Sequence, residues 1–364
     1  MTQPFCPPPF RPALHDERLQ RPDWTRPAGR DGRLRLDKNE NTDLALRVLI
    51  GNLLAALPPE AALDYPDAAP VYAKLAAHLG LSPSALLFTA GSDGAIRTAY
   101  EAFLEPGDTV LMTAPSFAMY PVYARMFGAR IVAVDYQPGP LLGMEKLLAA
   151  VAEHHPRLVC LPNPDSPTGS VLSLDALDVL AQAVGREGGA LLVDEAYHPF
   201  CKITALPLID RHPHLMVART FAKAWGLAGA RIGCLVATPT TTALLHKLRP
   251  MYEVNAVGLA LLDRLLDHAD TVMAAVDRIL DGKAWFLDQM AGRGFPVLRG
   301  EGNFLHVAFG DQAPRVHAAL ADKVLYRPDF SEPCLAGFSR FTAAPQSVLE
   351  PVASLVFDSL ARNR

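Results

Sequence analysis

Ala190-Leu-Leu-Val-Asp194-Glu195-Ala196-Tyr197 reads as a short strand, apolar on both faces, that ends in an acid. A strand without alternating polarity is buried on both sides, as in a mainly parallel sheet covered by helices. Ligand sites in such sheets form beyond the carboxyl ends of the strands, so Asp194 lies where a site is expected. There it can meet a cationic ring nitrogen, with Tyr197 three residues on within reach of the same ligand. An Asp that only caps the next helix is the plainer alternative.

Comparable runs lie on either side, at Leu86–Thr89, Thr109–Met112, Arg130–Asp135, Leu158–Leu161, Leu215–Arg219 and Gly233–Ala237. Helical patterns fall between several of them, at Gly94–Phe103, Leu172–Val184 and Thr240–Leu248. The alternation predicts an α/β fold whose large domain carries a mainly parallel, seven-stranded sheet between helices. After residue 255 a long helical segment, Ala256–Met290, leads into runs at Val297–Leu298, Leu305–Ala308, Val324–Tyr326 and Phe338–Phe341. These predict a smaller α+β domain packed with Leu44–Leu57. The expected division is a proline-rich arm over 1–33, a large domain over 59–255, and a small domain from 34–58 plus 256–364. Seven prolines in the first 27 residues forbid regular helix or central strand there. The arm is expected to lie over the body or a partner subunit, or to be a tail without fixed structure.

Composition narrows the function. In 364 residues, 34 Lys and Arg stand against 38 Asp and Glu, a net charge of −4. That near balance argues against nucleic-acid binding driven by phosphate neutralisation, and the 50% hydrophobic content argues against disorder. The five cysteines are scattered, with no Cys-x-x-Cys pair, and no His-Glu-x-x-His occurs. Neither a disulfide framework nor a metal site is expected, and a reducing cytoplasm is the simplest location. Neither a signal peptide nor a membrane span is apparent.

Four more clusters carry chemistry. Thr89-Ala-Gly91-Ser92-Asp93-Gly94 follows a strand and opens a helix, where small residues let free N–H groups approach an anion; a simple capping turn explains it too. Arg219-Thr220-Phe-Ala222-Lys223 continues to Gly229-Ala-Arg231-Ile-Gly233. A lysine in a close-packed loop of small residues is costly to desolvate, and desolvation suits it to Schiff-base chemistry. Arg231, eight residues later, can clamp a phosphate. Pro162-Asn163-Pro-Asp165-Ser166-Pro167-Thr168-Gly169 is a rigid turn after a strand, and Leu36-Asp-Lys38-Asn39-Glu40-Asn41 is a polar insertion.

With Tyr65-Pro66-Asp67, Pro115-Ser-Phe-Ala-Met-Tyr120, Asn303-Phe304 and Arg340-Phe-Thr342, these clusters occur in an order that resembles the histidinol-phosphate aminotransferase group of fold type I pyridoxal-phosphate enzymes. The resemblance spans about residues 34–345 and implies pyridoxal 5'-phosphate as cofactor. It implies that Lys223 holds the cofactor as a Schiff base and then serves as general base at Cα. Asp194 would keep the pyridine nitrogen protonated, Tyr197 would donate to the phenolic oxygen, and Tyr120 would stack on the ring. Gly91, Ser92, Asp93, Thr220 and Arg231 would hold the phosphate. Tyr65 would reach the phosphate of a neighbouring subunit, which implies a homodimer with shared sites. Arg340, with Asn39 and Asn303 close by, would bind substrate. Two positions depart from the pattern: Ser166 replaces the usual Asn before Pro-Thr-Gly, with Asn163 a candidate substitute, and Ala222 stands where Ser is common.

The leading expectation is an aminotransferase moving an amino group between an amino acid, glutamate foremost, and a small oxo or aldehyde partner, phosphorylated partners included. Decarboxylation of an amino-acid O-phosphate on the same cofactor is the alternative, and a cofactor-sensing regulator lacks room for a DNA-binding domain. Arg21, Arg26 and Arg30 of the arm are candidate phosphate contacts by location alone.

Overall fold

The computed structural model describes residues 11–21 and 32–361. Seven strands form the central sheet: β2 (Leu86–Thr89), β3 (Thr109–Ala114), β4 (Arg130–Asp135), β5 (Leu158–Pro162), β6 (Ala190–Asp194), β7 (Leu215–Thr220) and β8 (Gly233–Val236). Their order is β2-β8-β7-β6-β5-β3-β4. Only β8 runs against its neighbours, pairing antiparallel with β2 and β7. Every residue of β5, β6 and β7 is buried, whereas edge strand β4 is largely open to solvent.

Helices close both faces because their apolar residues recur on one side. In Leu174–Arg186, Leu177, Leu180, Ala181 and Val184 are buried, the spacing of an amphipathic helix. This helix starts two residues later than the apolar pattern suggested, because the Ser173 side chain accepts from Ala176 N and caps it. The helical segment from Ala256 is two helices, Ala256–Leu266 and Ala269–Ala291. At the break, Lys74 Nζ donates to Asp263 O at 2.5 Å and pairs with Asp267 at 2.7 Å. A cation there satisfies a carbonyl at the helix end and favours termination.

Two small sheets complete the fold. β9 (Val297–Leu298), β10 (Phe304–Ala308) and β12 (Phe338–Thr342) form an antiparallel sheet in the order β12-β10-β9, and β1 (Leu34–Arg35) pairs parallel with β11 (Val324–Leu325). Leu36, Phe286, Leu305, Phe341 and Val352 share their core. Leu46 of the helix Leu44–Ala55 instead joins Leu259, Leu262 and Leu265 in the cluster beneath the large sheet. The helix Ala269–Ala291 spans both cores, with Val272, Ala275, Val276 and Ile279 in the large-sheet cluster and Phe286, Leu287 and Met290 in the small one; we therefore propose a small domain that begins within this helix, with residues 34–36 crossing into it and Leu44–Ala55 left on the large one. Of the arm, Pro12–His15 forms one 3-10 turn, and Leu19 packs against the buried cluster that includes Met119, Val122 and Tyr123. Arg26 and Arg30 fall outside the described residues, and Arg21 is exposed.

Candidate active site

The carboxyl ends of the parallel strands open onto a cavity of about 270 Å³, walled by Ser92, Asp93, Phe117, Ser166, Asp194, Tyr197, Thr220, Lys223 and Arg231, with Lys38 and Glu40 from the 36–41 segment.

One end is made by close backbone packing. The helix Gly91–Phe103 starts just past β2, so the amides of Ser92 and Asp93 belong to its free N-terminal turn. Gly91 has φ +77°, and a Cβ there would stand 2.9 Å from Arg231 Nη2; one on Gly233 would stand 2.6 Å from the Gly91 carbonyl carbon. Arg231 itself is left-handed, at φ 53°, a conformation that costs a non-glycine residue about 1–2 kcal/mol. Its Nη2 donates to Ala90 O at 3.2 Å. Thr220 Oγ1 accepts from Ala222 N at 3.2 Å, which leaves its proton available. A guanidinium, a hydroxyl and a helix N-terminus that converge in this way suit an anion such as phosphate.

At mid-cavity Asp194 is buried at the tip of β6. Its Oδ2 accepts from Tyr120 Oη at 3.1 Å and its Oδ1 from Ala196 N at 3.1 Å. Burial pushes its pKa up to about 7 against the pull of these two bonds, so a cationic partner would favour its ionised form. Across the cavity Lys223 Nζ donates to Lys38 O at 2.7 Å and lies 5.9 Å from the Tyr197 ring centroid. Burial lowers the Lys223 pKa, Tyr197 opposing and Arg340 assisting. A desolvated lysine loses its proton more readily and becomes a nucleophile. Tyr197 Oη accepts from Asn39 Nδ2 at 2.9 Å, so its own proton is free to point elsewhere.

Behind these groups a buried ion pair ties β6 to β7. Arg219 pairs with Glu195 at 2.7 Å and donates to Thr204 Oγ1 at 2.9 Å. Its Nη1 meets His198 Nδ1 at 2.9 Å, and burial, with Arg219, lowers the His198 pKa to about 3, keeping that ring neutral. Asp165, also buried and raised to about 6 by burial, holds the 162–169 turn through Thr168 N, Thr168 Oγ1 and Ser116 Oγ.

Several expected contacts are placed differently. Tyr120 does not face the cavity: it is the second residue of the helix Met119–Met126, fully buried under Asp194, and Phe117 supplies the aromatic wall. Asn163 cannot substitute for the missing Asn, because its Nδ2 donates to Leu172 O and its Oδ1 accepts from Leu172 N; Ser166 lines the cavity. Asn39 and Asn303 stand behind the wall: Asn303 Nδ2 donates to Asn39 O at 3.0 Å, and Asn39 N donates to Thr342 Oγ1 at 2.9 Å. Arg340, on β12, donates to Asp37 O at 3.2 Å, with its guanidinium 5.7 Å from the Phe304 centroid. Tyr65 is 79% exposed, stacked on Tyr252 at 4.3 Å, and is no part of this cavity. Phe117, Lys38 and Glu40 also line the cavity; they lie inside the Pro115–Tyr120 and Leu36–Asn41 motifs, but nothing in those motifs singles them out.

An anion cradle, a buried acid, an aromatic wall and a desolvated lysine suit a flat, phosphorylated heterocycle with a ring nitrogen and a carbonyl. The glycines support that fit, since a Cβ at Gly91 would crowd the Arg231 guanidinium at the cradle.

The family described as aminotransferase class I and II matches residues 34–354. The histidinol-phosphate aminotransferase of Geotalea daltonii is 30% identical over 320 residues, 87% of this chain and 90% of the relative. Histidinol-phosphate aminotransferase 2 of Bordetella bronchiseptica is 34% identical over 76% of each chain. Among solved structures, the histidinol-phosphate aminotransferase of Sinorhizobium meliloti in complex with pyridoxal-5'-phosphate superposes with a TM-score of 0.78 at 27% identity, covering 90% of this chain and 92% of that one.

Proposed function

The chain belongs to the aminotransferase class I and II family and is a pyridoxal-phosphate-dependent enzyme; we propose that it moves the amino group of glutamate, or a similar small donor, to a small oxo or aldehyde acceptor in the cavity around Lys223. The observation that carries this reading is the meeting of Lys223, Asp194 and the Gly91–Arg231 cradle in one cavity. When bound, the cofactor supplies a carbonyl for an amine to add to and a protonated ring that draws electrons from Cα.

The protein's groups divide that work. Arg231, Thr220 and the amides of Ser92 and Asp93 would hold the phosphate. Asp194 would meet the ring nitrogen as a carboxylate, and Tyr120, donating to Oδ2, orients it and favours its charged form. Tyr197, its oxygen steadied by Asn39, would donate to the phenolic oxygen, with Ser166 in the same wall. Phe117 would supply an apolar wall for the ring. Lys223, its pKa lowered by burial, would take the proton from Cα as general base and pass it to the carbon that carried the cofactor's carbonyl. The Lys38 carbonyl steers its Nζ. Arg340 forks onto the α-carboxylate of the donor.

The relatives' names favour a phosphorylated oxo acceptor whose amination product is of the histidinol-phosphate kind. A homodimer with shared sites also belongs to this reading. Leu63, Tyr65 and Met251 expose 79–81% of their surface and cluster around Tyr252, and large exposed apolar groups in one region mark a protein interface; Tyr65 would reach the partner's phosphate from there. Four buried free cysteines fit a reducing compartment, and no helix among the described residues is long and apolar enough to cross a membrane.

Glutamate added to the holoenzyme is expected to yield 2-oxoglutarate and the aminated cofactor, seen by mass spectrometry. Release of carbon dioxide from an amino-acid phosphate, with no oxo acid formed, would overturn transamination in favour of decarboxylation.

A further inference from the structure

Among the described cations at the cavity, the Lys38 ammonium alone has no task in the chemistry above. Arg231 is bound to Ala90 O and belongs to the cradle, and Lys223 is the reacting amine. Arg340, near Tyr197 and Lys223, is held by the Asp37 carbonyl and reserved for the α-carboxylate. Lys38 lines the same cavity and is exposed, and no hydrogen bond or ion pair engages its ammonium among the described residues.

Residue 38 is also fixed at the reacting centre. Its carbonyl oxygen accepts from Lys223 Nζ at 2.7 Å. The next residue, Asn39, is left-handed at φ 56° and pinned by Thr342, Tyr197 and Asn303. Asn tolerates that conformation better than most residues, so the turn that aims the 38 carbonyl is preformed.

The carboxylates that could neutralise Lys38 are already engaged. Glu40, two residues on and lining the same cavity, pairs with Arg35 at 2.6 Å. Asp93 accepts from Tyr123 Oη at 3.0 Å, and Asp194 accepts from Tyr120 and Ala196. Past Glu40 and Ala228, which line both, lies a wider cavity of about 610 Å³ bordered by Arg33, Arg35 and Arg47. With Arg35 matched by Glu40, Arg47 still makes the border of the wider cavity cationic, and a cationic approach concentrates anions.

We propose that Lys38 is a specificity residue that binds an anionic group at the far end of the substrate, a side-chain carboxylate or a phosphate. This rests on the aminotransferase reading, with the amine reacting at Lys223 and, in an amino-acid donor, the α-carboxylate on Arg340. Lys38 lines the same cavity as Lys223, so the distal group of a donor reacting there shares that cavity with the Lys38 ammonium. An ammonium–carboxylate hydrogen bond out of bulk water contributes enough to change affinity about tenfold or more.

The test uses holoenzyme of the wild type, Lys38→Met and Lys38→Arg, each checked for cofactor loading and melting temperature. Single-turnover donor reactions are followed by the visible absorbance of the cofactor, using two matched pairs: glutamate against alanine, and histidinol phosphate against histidinol. In Lys38→Met the apparent Kd of the anionic member is expected to rise about tenfold more than that of its neutral partner, and Lys38→Arg should restore most of the difference. Discrimination lost only in the glutamate pair identifies a carboxylate, and loss only in the histidinol pair identifies a phosphate. An equal shift for neutral and anionic members, or none, overturns the proposal. Failure of the aminotransferase reading looks different: the wild type itself would then react with no donor of either pair.

Discussion

At the cradle end of the cavity the main chains of Gly91 and Gly233 meet at contact distance and the Arg231 guanidinium lies against Gly91, leaving no room for a Cβ on either glycine. At the opposite end the wall is stitched by side chains from distant elements: Asn39 to Thr342, Asn303 to Asn39, and Arg340 to Asp37. The cradle is set by one sheet and its strand-to-helix turns, and a close-packed backbone tolerates little change. The other end joins the large sheet to the small one through hydrogen bonds that a single substitution can retune. The contrast suggests that the cradle keeps the cofactor constant while the stitched end sets the choice of substrate.

Four measurements would break or sharpen that contrast. Lys223→Ala, where both ends meet, should lower turnover by at least about 10³-fold in a steady-state amination assay, since it removes the general base together with the covalent anchor. Near-normal rates would detach the chemistry from this cavity. At the cradle, Gly91→Ala should weaken cofactor binding about tenfold to hundredfold on titration of the apoenzyme. It adds left-handed strain and a Cβ 2.9 Å from Arg231 Nη2. Gly294→Ala provides the contrast: Gly294 is also at positive φ, but a Cβ there has nothing within 4 Å, so it should cost stability and leave cofactor affinity unchanged. At the stitched end, Arg340→Lys should raise the apparent Kd of glutamate about tenfold by losing the bidentate fork, with cofactor affinity unchanged. Equal effects of Gly91→Ala and Arg340→Lys on cofactor binding would erase the distinction between the ends.

The smallest effect concerns pH. In the apoenzyme the Asp194 pKa is raised to about 7, above the ordinary carboxyl value near 3.9. A folded-state pKa above the unfolded one favours folding at low pH and loses that contribution as pH rises from about 4 to 7. Apo Asp194→Asn should therefore melt a few degrees above the apo wild type at pH 8, with the gap closing toward pH 4, while its transamination is lost. A gap independent of pH would mean that burial does not hold the acid in its neutral form.

Legibility followed range along the chain. The strands and the residues just beyond them, among them Asp194, Thr220, Lys223 and Arg231, were readable because apolar runs and turn-forming residues lie side by side in sequence. The sequence did not show which of two aromatics three residues apart, Phe117 or Tyr120, faces the ligand. The helix starting at Met119 decides that by turning Tyr120 into the core. Nor did it show that both polar ends of Asn163 are taken by Leu172, or that Lys74 ends a helix almost two hundred positions away. The stitched end was legible only through resemblance, because its bonds cross separations of 264 and 303 residues that no local pattern encodes.

The central claim is that Lys223 is the amine to which the cofactor attaches. Borohydride reduction of the pyridoxal-phosphate-loaded enzyme, followed by proteolysis and mass spectrometry, should place one pyridoxyl group per chain on the peptide containing Lys223. A label on Lys38, on the buried Lys283 or on no lysine at all would contradict the account.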